Sequence, residues 1–77
     1  MDPHDRFREL IASYGAAMRR LCAVSARGQH DREDLFQNIF LAIWKAIPSY
    51  RGDASERTWV YSIAHNVAAT WRAREGR

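Results

Sequence analysis

Between Asp31 and Arg74 apolar side chains recur at helical spacing on both sides of a single interruption, Pro48-Ser49-Tyr50-Arg51-Gly52-Asp53. Proline removes a backbone donor and clashes with the preceding turn, and glycine followed by aspartate favours a reversal. The stretch is therefore read as two helices joined by a short loop, with their boundaries expected near 32–47 and 55–74. Asp31 is the expected cap of the first, with Glu33 and Asp34 suiting its dipole, and Ser55 is the expected cap of the second.

From Leu35 to Ile47 the first of these helices carries Leu35, Ile39, Ala42, Ile43 and Ala46 on one stripe, widened by Phe36, Phe40 and Ile47. That is an arc of about 160° at about 100° per residue, extended by Trp44, and a small bundle can bury it. Leu41 falls on the far side with Asp34, Gln37, Asn38 and Lys45. A lone exposed leucine carries no meaning, but a mixed polar and apolar patch is also what a protein-binding face looks like.

In the last helix Val60, Ile63, Ala64, Val67 and Trp71 form the core stripe. Its other side, Thr58, Ser62, His65, Asn66 and Ala69, is small, polar and almost uncharged, with Arg57, Tyr61 and Arg72 at its margins. Solvated helix faces are rich in lysine and glutamate, which favour helix at no cost, so this face suits a close-fitting partner. Upstream, Asp2 and Pro3 are a start signal for a helix over about 3–26, carrying Phe7, Leu10, Ile11, Tyr14, Met18, Leu21 and Cys22 on one face. Gly15 costs about 1 kcal/mol in mid-helix, which points to a kink or a break near 14–15, while Gly28 is the expected stop. Arg19, Arg20 and Arg27 read either as a phosphate-facing patch or as an ordinary solvated face.

Composition narrows the chemistry. The chain has 77 residues, 47% hydrophobic and 27% charged, which describes one small globular domain. A chain this short buries about 60% of its unfolded surface, so a partner is not surprising. Its net charge of +3 favours polyanions modestly. One cysteine, Cys22, allows no internal disulfide, and the three histidines are scattered, so no metal site or cofactor is expected and the usage fits a reducing cytoplasm. No apolar run reaches the roughly 20 residues of a membrane span. Neither a nucleophile in a strained turn nor a glycine-rich phosphate loop occurs, and the chain is read as not an enzyme.

Asn66 can donate and accept, as reading a base edge requires, and Tyr50, Trp59 and Tyr61 offer stacking surfaces for unpaired bases. Arginines supply phosphate contacts. Asn66 serves equally well in a hydrogen bond that fastens the loop, and Tyr50 equally well tucked against the core. His65 is read as a surface contact residue.

Three motifs, D-R-E-D-L-F-Q-N-I-F-L-A-I-W (Asp31 to Trp44), Y-R-G-D-A-S (Tyr50 to Ser55) and T-W-V-Y-S-I-A-H-N-V-A (Thr58 to Ala68), stand in an order and spacing that resembles region two of bacterial sigma-70 family factors, most closely the extracytoplasmic-function group. A looser match from Phe7 to Leu21 extends it over nearly the whole chain. The resemblance implies an all-α fold, a small bundle of three to four helices, in a transcription initiation factor that works in the cytoplasm. It implies that Asp34, Gln37, Asn38, Leu41 and Lys45 face the clamp helices of the largest subunit of core RNA polymerase. It further implies recognition and melting of the promoter minus-ten element. Tyr50, Arg51, Gly52, Asp53, Ala54 and Ser55 would surround a base flipped from the single-stranded non-template strand, with Ile63 and Asn66 at the pocket and Trp59 and Tyr61 near the point of strand separation. Ser62 and His65 complete the expected DNA-binding set. An anti-sigma protein is a further implied partner.

The sequence departs from the family where Asn38 replaces a frequent glutamate and where Ser62 and Ala69 replace frequent basic residues. Relatives normally add a region-four helix-turn-helix domain, and none is expected within these 77 residues. The competing functional class is a helical protein-interaction module that reads no DNA sequence.

Overall fold

A computed structural model describes residues 1–75 and contains, in chain order, α1 (Pro3–Ser25), α2 (Gln29–Ala46), a 3-10 turn at Ile47–Ser49 and α3 (Glu56–Glu75). Gly76 and Arg77, the end of the expected single domain, lie outside the described residues. The architecture is a small all-α bundle in which α2 is central, packing equally against α1 and α3 while those two touch each other less.

Local chemistry explains most boundaries. The Asp2 carboxylate accepts from the His4 backbone N–H at 3.2 Å, and Pro3 fills the first helical position of α1. Pro48 sits in the 3-10 turn that ends α2, and the Ser55 hydroxyl accepts from the Thr58 N–H at 3.1 Å to start α3. Three expectations need correcting. First, α1 runs unbroken through Gly15. The glycine penalty of about 1 kcal/mol is small against the burial of Leu10, Met18 and Cys22 on the same helix, each worth about 1.5–3 kcal/mol. Second, Gly28 does not stop α1, which ends at Ser25 with Ala26 extended; Gly28 caps α2 instead, at φ 70° and ψ 159°. Third, Asp31 is accordingly not the cap but a first-turn residue, where its charge still meets the helix dipole.

The core comprises Leu10, Met18 and Cys22 of α1, Leu35, Ile39, Phe40 and Ile43 of α2, and Val60 and Ala64 of α3. On α3 the fully buried line is Val60, Ala64, Ala68, at four-residue spacing, and Ile63, Val67 and Trp71 are only half-buried beside it. The stripe is thus rotated from the expected one toward its alanines, whose small side chains bring α2 and α3 close together. Ile11, expected in the core, is 37% exposed.

Polar contacts tie the helices together, Arg72 donating to Ser25 Oγ at 3.1 Å among them. Tyr14 donates to Glu56 Oε1 at 3.1 Å, and Glu56 pairs with Arg6 at 3.1 Å, so α1 grips the first turn of α3. Arg19, one of the expected phosphate-facing arginines, pairs with Glu33 at 2.6 Å and lies 3.9 Å over the Phe36 ring, which commits it to holding α1 against α2.

Candidate functional site

The outward side of α2 is a ridge between two grooves. Toward α1, Gln37, Asn38, Leu41 and Trp44 line an apolar groove of about 630 Å³ with Phe7 and Ile11. Toward α3, Asn38, Leu41 and Lys45 line one of about 430 Å³ with Asn66, Thr70 and Arg74. Leu41 is 50% exposed on the crest. Asp34 is half-buried, 3.5 Å from His30, and lies off both grooves. The contribution of α1 was not expected from the sequence, because Ile11 and Phe7 follow the same periodicity as the core residues.

Along α3 the small polar face forms a recess of about 460 Å³ lined by Arg57, Thr58, Tyr61, Ser62, His65 and Asn66. The Arg57 guanidinium sits 4.6 Å from the centre of the Tyr61 ring, which packs edge-to-face with Tyr14 at 6.3 Å between centroids. No carboxylate lines this recess, so its positive charge is not cancelled locally. Ser62, His65 and Asn66 are exposed, and the Asn66 side chain makes no hydrogen bond among the described residues. The loop-fastening role for Asn66 is therefore not realised, and its amide has both donor and acceptor capacity to offer.

The loop stands apart from Asn66. Tyr50 stacks on Trp59 with ring centroids 4.6 Å apart and 30° between planes, and its hydroxyl donates to the Ala54 carbonyl at 2.6 Å. Arg51, Gly52, Asp53 and Ala54 are exposed, with Gly52 at φ 81°, and Ser55 is spent on the cap. Asn66 lies eleven residues beyond Ser55, about 16 Å along the helix axis. Neither recess that Asn66 borders includes a residue from Tyr50 to Ser55. Ile63 packs against the core. The structure thus joins Tyr50 with Trp59, and Tyr61, Ser62 and His65 with Asn66, as two groups on one helix.

Titratable chemistry is sparse. Burial pushes the Cys22 thiol up from its ordinary value, and burial followed by the bond to Glu56 pushes the Tyr14 phenol up. No cluster of three or more histidine, cysteine or acidic side chains suited to a metal occurs among the described residues, and no helix there is long and apolar enough to cross a membrane.

Comparison with known proteins bears on these surfaces. The family described as Sigma-70 region 2 matches residues 10–77. The chain is 48% identical over 48 residues to the ECF RNA polymerase sigma factor SigG of Mycobacterium tuberculosis, covering 62% of this chain and 12% of that protein. It is 27% identical over 67 residues to the ECF RNA polymerase sigma factor SigX of Bacillus subtilis, covering 87% and 34%. With the ECF RNA polymerase sigma-E factor of Escherichia coli K12 it shares 38% over 47 residues, covering 61% and 25%. The chain thus spans about a third or less of the length of these curated relatives. No solved structure matches it significantly. The match over residues 10–77 establishes that the chain belongs to the sigma-70 region 2 family.

Proposed function

We propose that the chain acts in transcription initiation, binding core RNA polymerase through α2 and unpaired promoter DNA through α3 and the loop before it. The observation that carries the reading is the recess around Asn66. An amide with no internal partner stands there among aromatic and cationic side chains, with no carboxylate to repel a phosphate. In this reading Asn66 reads the base edge of a flipped non-template base of the minus-ten element. Tyr61 and Trp59 stack bases where the strands part, and Arg57 and Arg51 meet phosphates. Melting follows from the same contacts, because only unpaired bases can occupy them.

The polymerase side is read as the ridge Gln37, Asn38 and Leu41 with Asp34 and Lys45, where the clamp helices of the largest subunit lie. The apolar groove with Phe7 and Ile11 provides the buried contact that a stable protein interface needs at its centre. That groove also favours the second reading, in which an anti-sigma protein occupies it in competition with polymerase. A factor of this kind is non-catalytic and works in the cytoplasm.

Two variants test the halves separately. Asn66→Ala lowers affinity for a single-stranded minus-ten oligonucleotide by about 1–3 kcal/mol. Equal wild-type affinity for scrambled sequence removes the base-reading claim. Leu41→Arg and Gln37→Arg lower core polymerase binding with helicity unchanged, since both sites are exposed; unchanged binding by both variants refutes the assigned face. Affinity for DNA also falls with added salt if phosphates are contacted, which separates this reading from a pure interaction module.

A further inference from the structure

The sequence holds three histidines, and the structure gives them unequal company. His4 lies 3.6 Å from Asp2 and His30 lies 3.5 Å from Asp34. His65, exposed on α3, has no carboxylate within ion-pair reach among the described residues. We infer that His65 makes the binding of single-stranded DNA proton-linked, its imidazolium forming a phosphate contact that is present in mildly acid solution and lost as pH rises. The inference rests on the reading of this recess as a single-strand surface and adds its regulation.

The layout of the recess carries it. Arg57, Tyr61 and His65 follow one another at four-residue spacing, a row about 12 Å long down one side of α3. The Tyr61 ring stands between the other two, its centre 4.6 Å from the Arg57 guanidinium carbon and 6.2 Å from the centre of the His65 ring. Arg57 thus gives the row a permanent cation at one end, and His65 a conditional one at the other. Thr58, Ser62 and Asn66 complete the lining without adding a negative charge. The carboxylates of α3, Glu56 and Glu75, stand about 14 Å and about 15 Å along the axis from His65. Glu56 is also turned to the opposite side of the helix, where Tyr14 and Arg6 engage it. From α1 comes the Tyr14 phenol, against the Tyr61 ring, and from α2 comes Lys45, on the groove that borders Asn66 from its other side. Neither is a carboxylate.

Histidine is the side chain whose ordinary charge change falls between about pH 5 and about pH 8. In the free recess a proton on His65 adds to positive charge that nothing nearby offsets, and a bound phosphate offsets it. The strand therefore binds the protonated form more tightly, and by reciprocity it holds the proton in place. Affinity falls as pH rises through the range in which the imidazole gives up its proton. His4 and His30 do not line the recess, and each already has a carboxylate beside it. Counterion release makes the contact countable, because each phosphate neutralised on a single strand steepens the dependence of log K on log salt by about 0.7. One protonated histidine adds one such increment. The accompanying gain in affinity is that of an exposed ion pair, about 1.5- to 5-fold.

The test uses the full 77-residue chain and a single strand of thymidines, whose bases do not change charge in this range. Affinity is measured by fluorescence anisotropy across a salt series at about pH 5.5 and again at about pH 8. The unaltered protein should show a salt slope steeper by about 0.7 at the lower pH. His65→Gln should show the shallow slope at both pH values, and His65→Arg the steep slope at both. Since the side chain is exposed, neither substitution should alter helicity, which circular dichroism checks. A wild-type slope that is the same at both pH values overturns the proton linkage while the single-strand reading stands. A difference that persists in His65→Gln also overturns it, by placing the proton elsewhere. No binding of the strand at any pH or salt overturns the linkage and the single-strand reading together.

Discussion

Tyr14→Phe removes one oxygen from the node that ties α1 to the start of α3, and its cost can be worked from the contacts. The phenol donates to Glu56 Oε1 at 3.1 Å, and hydrogen bonds to charged groups contribute about 1.5–3 kcal/mol when shielded from water. Glu56 keeps its Arg6 partner and its side chain is 42% exposed, so water replaces part of the lost bond. The expected cost is therefore nearer 1 kcal/mol, about 4–8 °C in Tm for a domain of this size. Alkali supplies a control. Burial, and then the Glu56 bond, hold the phenol above its ordinary value of 10.0. A group raised in the folded state contributes fully below its unfolded pKa and loses that contribution as pH rises through the folded one. Thermal unfolding followed by circular dichroism at pH 7 and again above pH 10 should show a gap between wild type and Tyr14→Phe that narrows on the alkaline side. A gap absent at pH 7, or constant across the range, refutes the node as described.

Gly28 and Gly15 should respond oppositely to alanine. At Gly28, φ 70° with ψ 159° is ground that side chains avoid, and Gly28→Ala should destabilise by about 1–3 kcal/mol in urea titration. At Gly15 an added Cβ meets Ile11 Cγ2 at an ordinary 3.9 Å in an unbroken helix, so Gly15→Ala should stabilise by about 0.5–1 kcal/mol. Ala64 is fully buried in the core, and Ala64→Leu should cost about 1–3 kcal/mol by forcing its neighbours apart, read as a lower urea midpoint.

How much of this molecule could be read in its sequence depends on whether the deciding physics was local. Caps that act within three residues, Asp2 with Pro3 and Ser55 with Thr58, were legible because their donors and acceptors lie next to one another in the chain. The start of α2 was not, since Asp31 reads as its cap and Gly28 as the stop of α1, and only the backbone path between α1 and α2 makes the glycine the cap. Alanine is equally ambiguous: Ala64 and Ala68 are buried while Ala69 is exposed, and hydropathy does not separate them. Leu41 stood out by its polar company, but Ile11 opposite it could not, because a residue at the margin of a core stripe looks identical whether a neighbour covers it or leaves a groove.

The distance from the loop to Asn66 was legible and carries the strongest consequence. Eleven helical residues set Asn66 about 16 Å along the axis from Ser55 whatever the tertiary context. What sequence could not supply is the object filling the space at the loop. Arg6 is 44 residues from Tyr50, and neither side chain signals the other by spacing. Their approach depends on Glu56 drawing the first turn of α1 onto the first turn of α3, the same contact that Tyr14 reinforces. The packing of α1 on α3 and the position of the loop therefore meet at one carboxylate. A substitution at Glu56 should loosen the bundle and disturb the loop platform together, whereas Asn66, exposed and without an internal bond, should affect binding with little change in stability.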